Sequence, residues 1–278
     1  MEYLMREDAP FSQEQWDNID ETVIRVARQV LVGRKFLNIY GPLGSGAQSI
    51  NIDDMEADSN GDLDFFGDED TGTVKSRGRR FVEIPIVYKD LVISWRDVEN
   101  SRQFGLPLDI SPVAGAAALC AKKEDDLIFN GNSELGYEGL LNVNGAARIT
   151  KSDWSMGENP FTDVSKGIEI LVNKGFVTDY ALIMSTDLYI QLQRLQPNAG
   201  VLEIDRVKEL VNGRVFQTPV LGSNKAVLVC SQPQNMDLVI GQDMITAYMG
   251  EEKMNYSLRV FETILPRIKR KEAIVIFE

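Results

Sequence analysis

The chain begins with a pattern typical of an amphipathic helix. Ser12 and Gln15, three residues apart, have the spacing of a capping box, in which each side chain binds the other residue's backbone N–H. Apolar residues then recur at three- and four-residue spacing, as on one helix face: Trp16, Ile19, Val23, Val26, Ala27 and Val30. We expect Gly33 to end the helix. The apolar face must pack against its own domain or a partner.

Residues 50–80 break this pattern. Acidic residues crowd the first part: Asp53, Asp54, Glu56, Asp58, Asp62, Asp64, Asp68, Glu69 and Asp70. Basic residues crowd the end: Lys75, Arg77, Arg79 and Arg80. Because few apolar residues interrupt them, the segment cannot build a core of its own. We expect it either to be disordered or to form an extended arm that lies on a neighbouring chain.

The remaining sequence predicts a mixed α+β chain. Strands are expected at residues 81–87, 91–95, 180–184, 226–230, 236–240, 258–268 and 273–277. One helix is expected between Ser111, its N-cap, and Gly131, with Pro112 in the first turn. A second is expected between Thr162, its N-cap, and Gly175. Two more are expected after Ser185 and over residues 202–211. The middle region, residues 139–229, therefore has the alternation of a compact α/β unit.

Composition narrows the classes of function. The 278 residues carry a net charge of −13, a sign that repels nucleic acid and anionic membrane surfaces, so neither is an expected partner. Cys120 and Cys230 have no metal-ligand or redox spacing, which fits a reducing compartment. The N-terminal segment is acidic, and no apolar run approaches the ~20 residues that span a bilayer. These features predict a cytoplasmic protein.

The chain contains no histidine. This excludes Ser-His-Asp and Cys-His nucleophile systems and the metal sites that need imidazole. All-carboxylate and lysine chemistry stay open, but no nucleophile is paired with a base. We therefore predict no catalytic residue and a chain that is not an enzyme.

Three motifs are candidates for binding sites. Six residues resemble a calcium loop: Glu56, Asp58, Asn60, Gly61, Asp62 and Asp64. Its twelfth position is Gly67, where a bidentate Glu is required, so a solvated arm is favoured and no metal site is predicted. The glycine-rich residues 41–46 lack the Gly-Lys-Ser/Thr ending of a phosphate loop and favour a turn. Trp95, at a predicted strand end, is a candidate for stacking a flavin, with core or interface packing as the commoner alternative. No cofactor is required.

Several motifs along the chain together resemble one family. They are MEYL (1–4), AP (9–10), WDNID (16–20), LVGRKF (31–36), YGPLG (40–44), VFQTP (215–219), GQD (241–243), RVFET (259–263) and AI (273–274). This order of motifs, over essentially the whole chain, resembles the encapsulins, which are shell proteins of bacterial nanocompartments.

The resemblance implies the fold of tailed-phage major capsid proteins. A peripheral domain would comprise residues 1–50, 81–138 and 230–278, with the last strands joining the first helix. Residues 51–80 would form the extended loop and residues 139–229 the axial domain. The chain would then self-assemble into a closed icosahedral shell.

The resemblance also implies a groove that binds a short C-terminal peptide of a cargo enzyme, between the N-terminal helix and the C-terminal strands. Arg34 matches a family position there, and Asn38 stands where some relatives carry Asp. Met244 and Ile245 lie on the matching downstream segment. We expect Val26 and Val30 to face the shell interior beside Arg34, unless the whole helix stripe packs within its own domain.

Similarity to the branch of the family with iron-mineralising cargo implies a ferritin-like cargo, iron storage and protection from oxidative stress. A compartment for a dye-decolourising-type peroxidase is the alternative within the family. A phage or prophage capsid protein shares the fold, although no removable scaffold segment is evident. An enzyme is the third class, which the lack of histidine disfavours.

A pore is expected where axial-domain loops meet. The segment 196–200 interrupts two helical stretches with small and polar residues. Such a loop can line an opening without burying unpaired backbone groups. Gln196, Asn198 and Gly200 are the predicted pore residues.

Overall fold

The computed structural model describes residues 2–56, 63–66, 75–196 and 200–278. The first helix, α1 (Gln13–Val30), begins with the predicted capping box. The Gln15 backbone N–H donates to Ser12 Oγ at 3.2 Å, and the Ser12 N–H donates to Gln15 Oε1 at 2.9 Å. Local sequence therefore defines the start of this helix.

The end of α1 depends on a distant residue. The helix stops at Val30, before Gly33, which instead opens a short 3₁₀ helix, Gly33–Lys35. Asp125 accepts the backbone N–H groups of Val32 and Gly33 at 2.9 Å. A Cβ at residue 33 would lie 2.3 Å from Ile128 Cδ1, so a larger residue there would force the Ile128 side chain to move. Gly33 therefore allows the turn to pack closely on α3 and does not terminate the helix.

The described residues contain five further α-helices and eleven strands. The helices are α2 (Trp95–Phe104), α3 (Ser111–Asn130), α4 (Asn159–Asn173), α5 (Thr186–Gln191) and α6 (Glu203–Leu210). The strands are β1 (Asn38–Tyr40), β2 (Ser49–Glu56), β3 (Lys75–Glu83), β4 (Ile86–Ile93), β5 (Ala147–Ile149), β6 (Tyr180–Met184), β7 (Val215–Gln217), β8 (Ala226–Cys230), β9 (Met236–Glu252), β10 (Asn255–Ile268) and β11 (Ile274–Phe277).

Two sheets organise the chain. A four-stranded sheet has the order β1-β9-β10-β4, in which β1 runs parallel to β9 and the other pairs are antiparallel. Helices α1 and α3 pack together and cover it. A five-stranded sheet has the order β5-β11-β8-β6-β7 and packs against α4. Strands β2 and β3 form a separate antiparallel pair that carries residues 51–56 and 75–80 of the charged arm.

The C-terminal strands divide between the two sheets. Strands β9 and β10 return to the N-terminal half and pair with β1 and β4. Strand β11 does not follow them, contrary to its expected place beside the first helix, but pairs with β5 and β8. All four of its residues are buried, because α4 covers it closely: a Cβ at Gly167 would lie 2.8 Å from Phe277.

Other expected boundaries change for physical reasons. The strand expected over residues 81–87 is divided between β3 and β4, with Pro85 between them, because proline cannot donate to a ladder. The strand predicted at residues 91–95 ends at Ile93, and Trp95 begins α2, whose N-cap is Ser94. Trp95 is therefore at a helix start and not at a strand end.

Two predicted helix caps are also wrong. Ser111 is already helical; its N–H donates to Asp109 Oδ1 at 2.9 Å, so the aspartate supplies the acceptor. Thr162 lies inside α4, and its N–H donates to the Glu158 carbonyl at 3.0 Å. Strand β9 runs twelve residues beyond the predicted end at Ile240, because β10 pairs with it along its length.

The structure also bears on the weaker motif candidates. In the glycine-rich loop, the N–H groups of Leu43 and Gly44 donate to the carbonyls of Ile240 and Gly241, both at 2.9 Å, so they are engaged by β9 rather than free for phosphate. Most of the calcium-like motif, from Asp58 to Asp62, lies outside the described residues.

Within the described ranges, no helix has the length and apolarity to cross a membrane.

Candidate functional site

A groove of about 440 Å³ lies where α1, the 3₁₀ turn and strands β1 and β9 meet. The helix contributes Ile24, Ala27 and Arg28, the turn that follows contributes Leu31, Arg34 and Lys35, and the two strands contribute Ile39, Asp243 and Met244. Its position, between the first helix and a C-terminal strand, is the one that the family resemblance implies for the cargo peptide.

The groove is apolar along one line of α1. Ala27 and Leu31 are buried and pack with Ala121, and Met244 packs against them. Ile24, one turn earlier on the same face, is 48% exposed, and Ile39 on β1 is 50% exposed. Two large exposed isoleucines therefore flank a buried apolar floor, an arrangement that an extended apolar ligand could cover.

The rim carries positive charge. Arg28 and Lys35 are exposed, and neither forms a salt bridge with another described residue. Arg34 is different because its side chain is only 17% exposed and is surrounded by carboxylates. The groove thus combines cations available to a ligand with one cation that is already bound within the chain.

Arg34 holds three acidic side chains from three elements. Its Nε and Nη2 donate to Glu124 on α3 at 2.8 and 2.7 Å, and Nη2 also donates to Glu262 on β10 at 2.7 Å. Its Nη1 donates to Asp243 on β9 at 2.7 Å. The side chains of Glu124 and Glu262 are fully buried, whereas Asp243 is exposed. The guanidinium therefore joins helix, turn and both long strands under the groove.

Burial and charge oppose each other in this cluster. Burial disfavours the charge of Arg34, but hydrogen bonding and charge from Glu124, followed by the charges of Glu262 and Asp243, outweigh it and raise the Arg34 pKa. Burial, and then the charge of Glu124, raise the pKa of Glu262 well above the usual glutamate value, although Arg34 opposes them. Burial also raises the pKa of Asp125 to about 7. The hydrogen bonds that Asp125 accepts from the Gly33 and Val32 backbone N–H groups lower this pKa, but burial outweighs them.

The structure brings some of the predicted groove residues together. Arg34 and Met244 line the groove, and Val30 is half-buried beside Met244. Val26 packs on the main core instead. The Asn38 side chain donates to the Ser231 carbonyl at 2.8 Å, which directs it away from the groove lining.

Ile245 is also separate from the groove lining. It follows Met244 in β9 and pairs with Phe261. The register between β9 and β10 shifts between Ile245 and Gln242, so simple alternation of side chains does not apply here. Ile245 is not among the residues that line the groove.

Sequence reasoning missed Ile24, Ile39 and the carboxylates around Arg34. The sequence does carry a signal for Ile24. Ile24, Ala27 and Leu31 follow helical spacing and form a second apolar stripe on α1, beside the stripe that begins at Trp16. No comparable signal exists for the carboxylates, because residues 34, 124, 243 and 262 are brought together only by the fold.

The predicted pore residues have different environments. Gln196 is buried, and its amide donates to Glu203 and to the Gly157 carbonyl, the latter at 3.2 Å. This contradicts a pore-lining role for its side chain. Gly200 is exposed, and Asn198 lies outside the described residues.

The other candidate for ligand chemistry is Trp95, which is 38% exposed at the start of α2, where its backbone N–H donates to Asn255 Oδ1 at 3.3 Å. Its indole is partly available to a ligand, but the described contacts do not indicate one. In the part of the chain that the structure describes, no three His, Cys, Asp or Glu side chains are arranged to hold a metal.

Comparisons with known proteins agree with the whole-chain resemblance. Residues 1–265 match the family described as encapsulating protein for peroxidase. The chain is 42% identical over 277 residues to the type 1 encapsulin shell protein EncA of Myxococcus xanthus, covering 100% of this chain and 96% of that protein. It is 40% identical to a diheme-cytochrome-encapsulin shell fusion protein of Kuenenia stuttgartiensis, covering 96% and 73%. A ferritin-like-encapsulin shell fusion protein of Pyrococcus furiosus is 24% identical, covering 72% and 54%.

Solved structures identify the fold. The virus-like particle from Pyrococcus furiosus superposes with a TM-score of 0.77 at 21% identity, covering 95% of this chain and 99% of that one. The capsid of Myoviridae phage XM1 superposes with a TM-score of 0.63 at 13% identity, covering 88% and 90%. The predicted phage-capsid fold is thus confirmed. With the family match and the 42% identical relative, this shows that the chain belongs to the encapsulin family of shell proteins, which form capsid-like compartments.

Proposed function

We propose that this shell protein closes into an icosahedral compartment and captures a cargo enzyme by binding the cargo's C-terminal peptide in the groove beside α1. The observation that carries the proposal is the apolar groove with two half-exposed isoleucines, Ile24 and Ile39. Exposing such side chains beside a buried apolar floor is unfavourable, and covering them with a ligand removes that cost.

The groove suits an extended peptide because β1 is an edge strand. It pairs with β9 on one side only within the described sheet. A peptide with alternating apolar residues can place them on Ile24 and Met244 while its backbone bonds at the edge. Arg28 and Lys35 favour a peptide carboxylate or carbonyl at the rim. One short peptide binds weakly because it loses conformational freedom, but many sites in a closed shell make weak binding sufficient.

We propose a ferritin-like iron-mineralising protein as cargo, with iron storage and protection from oxidative stress as the role of the compartment. The name of the Pyrococcus furiosus relative supports this, because it couples a ferritin-like part to a shell part. A peroxidase is the second candidate, supported by the description of the matching family. The shell itself would need no cofactor and perform no catalysis.

The two sheets support our proposed assignment of regions within the shell. Residues 139–229 would form the axial domain around the five-stranded sheet, with β11 joining it, and residues 51–80 the arm that lies on neighbouring subunits. A pore would lie at the exposed end of the 196–200 segment, with Asn198 and Gly200 as lining residues and Gln196 as an anchor. Sedimentation of the purified chain should show a megadalton-scale particle, and a small discrete oligomer would contradict closure.

Cargo capture can be tested on assembled shells. The chain is first purified from its native host, and co-purifying proteins are identified by mass spectrometry. The C-terminal segment of the main companion is then fused to a fluorescent protein and co-expressed with the chain. The double substitution Ile24→Asp with Met244→Asp should leave shells that form but contain little fluorescence. Arg34 is left unchanged here, since altering it disturbs buried carboxylates.

A matched control uses an isoleucine elsewhere. Ile190 on α5 is 64% exposed and does not line the groove, so Ile190→Asp shells that assemble should load normally. Normal loading of the groove variant would place the binding site elsewhere, and equal loss in both variants would mean that the defect is not specific to the groove.

A further inference from the structure

The cluster below the groove contains more acid than its cation can balance. Arg34 supplies one positive charge, and Glu124, Glu262 and Asp243 supply up to three negative charges. Asp243 is exposed, so water can stabilise its charge, but the two glutamates are fully buried. Two ionised carboxylates at one buried site repel strongly, and such pairs usually retain one proton between them.

The contacts distinguish the two glutamates. Glu124 accepts hydrogen bonds from both Nε and Nη2 of Arg34, which is the paired geometry that suits a carboxylate. Glu262 receives only Nη2, and its Oε1 is buried with no hydrogen-bond partner among the described residues. An unpartnered buried oxygen is costly for an ionised group and much less costly for a neutral carboxyl. Glu262 is therefore the better place for the proton.

We propose that Glu262 holds a proton at this site and that its neutral carboxyl, together with Glu124, positions Arg34 at the floor of the groove. Two buried acceptors fix one side of the guanidinium, and Asp243 fixes the other. One N–H of Nη1 then has no acceptor among the described residues and is available to a backbone carbonyl of a bound peptide. Glu124 and Glu262 are positioning residues, since they act through Arg34. This inference rests on the proposed peptide groove.

Neighbouring charges make the arrangement sensitive to pH. Glu124 on α3 and Asp243 on β9 act on Glu262 together with Arg34. The charge of Glu262 in turn acts on Cys120 of α3, which Lys89 and Asp90 on β4 also affect. Asp125, which holds the turn beside Arg34, interacts with Glu124 and Lys35. Loss of the Glu262 proton adds a buried negative charge, which draws the guanidinium inward from Asp243. Peptide binding should then weaken as pH rises through the raised pKa of Glu262.

The first test measures protonation without cargo. Infrared spectra of empty wild-type shells should contain the C=O stretch of a buried protonated carboxyl at neutral pH. Glu262→Gln should remove one component of that signal, whereas the component that comes from buried Asp125 should stay. Glu203→Gln serves as the matched control, because Glu203 is another fully buried glutamate, which contacts Gln196 and Arg194 instead of Arg34. A neutral-pH wild-type spectrum with no band that Glu262→Gln removes would overturn the protonation of Glu262.

The second test measures loading with the fluorescent fusion described above, from about pH 6 to about pH 9. Glu262→Gln mimics the protonated state, so it should load like wild type at low pH and lose the decline at high pH. Glu124→Gln removes the two-point partner of Arg34 and should lower the affinity about tenfold or more. If Glu124→Asp restores at least half of the wild-type loading, the negative charge at residue 124 is what positions Arg34.

These outcomes separate the two proposals. If Ile24→Asp with Met244→Asp loads normally, the groove assignment fails whatever the glutamates do. If that variant loses cargo but Glu262→Gln loses as much as Glu124→Gln, the groove stands and the proton assignment is wrong. If both glutamine variants load like wild type at every pH, the pair does not position Arg34. Should Glu124→Gln shells fail to assemble, Glu262→Gln and the infrared band still decide the question.

Discussion

The two sheets of this shell protein stabilise the chain by different means. Strands β6, β8 and β11 are buried at every residue and carry almost only apolar side chains. The four-stranded sheet instead buries Glu262 on β10 and, on the covering helix, Glu124 and Asp125. Arg34 pairs with the two glutamates, and Asp125 accepts the backbone N–H groups of Val32 and Gly33. A second buried pair, Arg267 and Asp237 at 2.6 Å, links β10 to β9.

The two sheets differ in what their side chains require of their neighbours. An apolar sheet is stabilised by area removed from water and needs no particular partner for each side chain. A buried charge cluster contributes little net stability but fixes geometry, because each charge requires its partner. The cluster lies under the groove, which Arg34 and Asp243 line.

The largest expected effect comes from leaving the buried acids without their cation. Arg34→Met should lower the stability of the shell subunit by roughly 3–5 kcal/mol, the cost of breaking one side of a buried ion pair. Thermal unfolding of purified shells measures this as a lower melting temperature. A triple variant that adds Glu124→Gln and Glu262→Gln should recover much of the loss, since the buried acids are then neutral. A triple variant no more stable than Arg34→Met would show that packing, not charge, determines the cost.

The apolar sheet should respond to volume instead. Ile183 in β6 is fully buried, so Ile183→Ala should cost roughly 2–5 kcal/mol through lost contacts and a cavity. Ile183→Val removes one methyl group and should cost about 1 kcal/mol. Melting temperatures of both shells measure the series. Because its partners on the neighbouring strands, Phe216 and Val227, are apolar, changing salt or pH should not alter the difference between the two variants.

The stability of the four-stranded sheet and its covering helices should depend on pH, unlike that of the apolar sheet. The pKa of Asp125 is raised by burial to about 7 from its ordinary value of 3.8. Between these values the folded chain keeps a proton that the unfolded chain has released. The stability that this retained proton on Asp125 contributes is therefore fully present below about pH 4. It declines as pH rises to about 7, by at most ~1.4 kcal/mol per pH unit. Melting curves across this range should show a smaller decline for Asp125→Asn. Equal slopes in both proteins would contradict a raised pKa.

The smallest effect is expected where charges are exposed. Arg148 and Glu278 form a salt bridge at 2.8 Å, with both side chains more than 40% exposed. Arg148→Ala should change stability by less than about 1 kcal/mol, because water and salt screen such pairs. The measured melting temperature should stay close to that of wild type. A loss as large as that of Arg34→Met would contradict the distinction between exposed and buried pairs.

Local sequence was sufficient where an element carried its own signals. The capping box at Ser12, the end of α3 at Gly131 and the buried strands β6 and β8 follow from residues within or beside each element. Helix α2 was missed because its polar sequence has only one buried residue, Val98, and Trp95 was consequently assigned to the preceding strand. Its N-cap, Ser94, is a signal that a helix search could have used.

The sequence by itself determined the family, the first helix, the segment with no core of its own and the absence of histidine chemistry, because each depends on residue identity or short-range spacing. Only the tertiary structure decided that Ile24 and Ile39 flank one groove, that β11 joins the second sheet, and that residues 34, 124, 243 and 262 form one cluster. The physical reason is that pairing and burial of charge depend on contacts between segments far apart in the chain. Such contacts leave no periodic signal in one sequence.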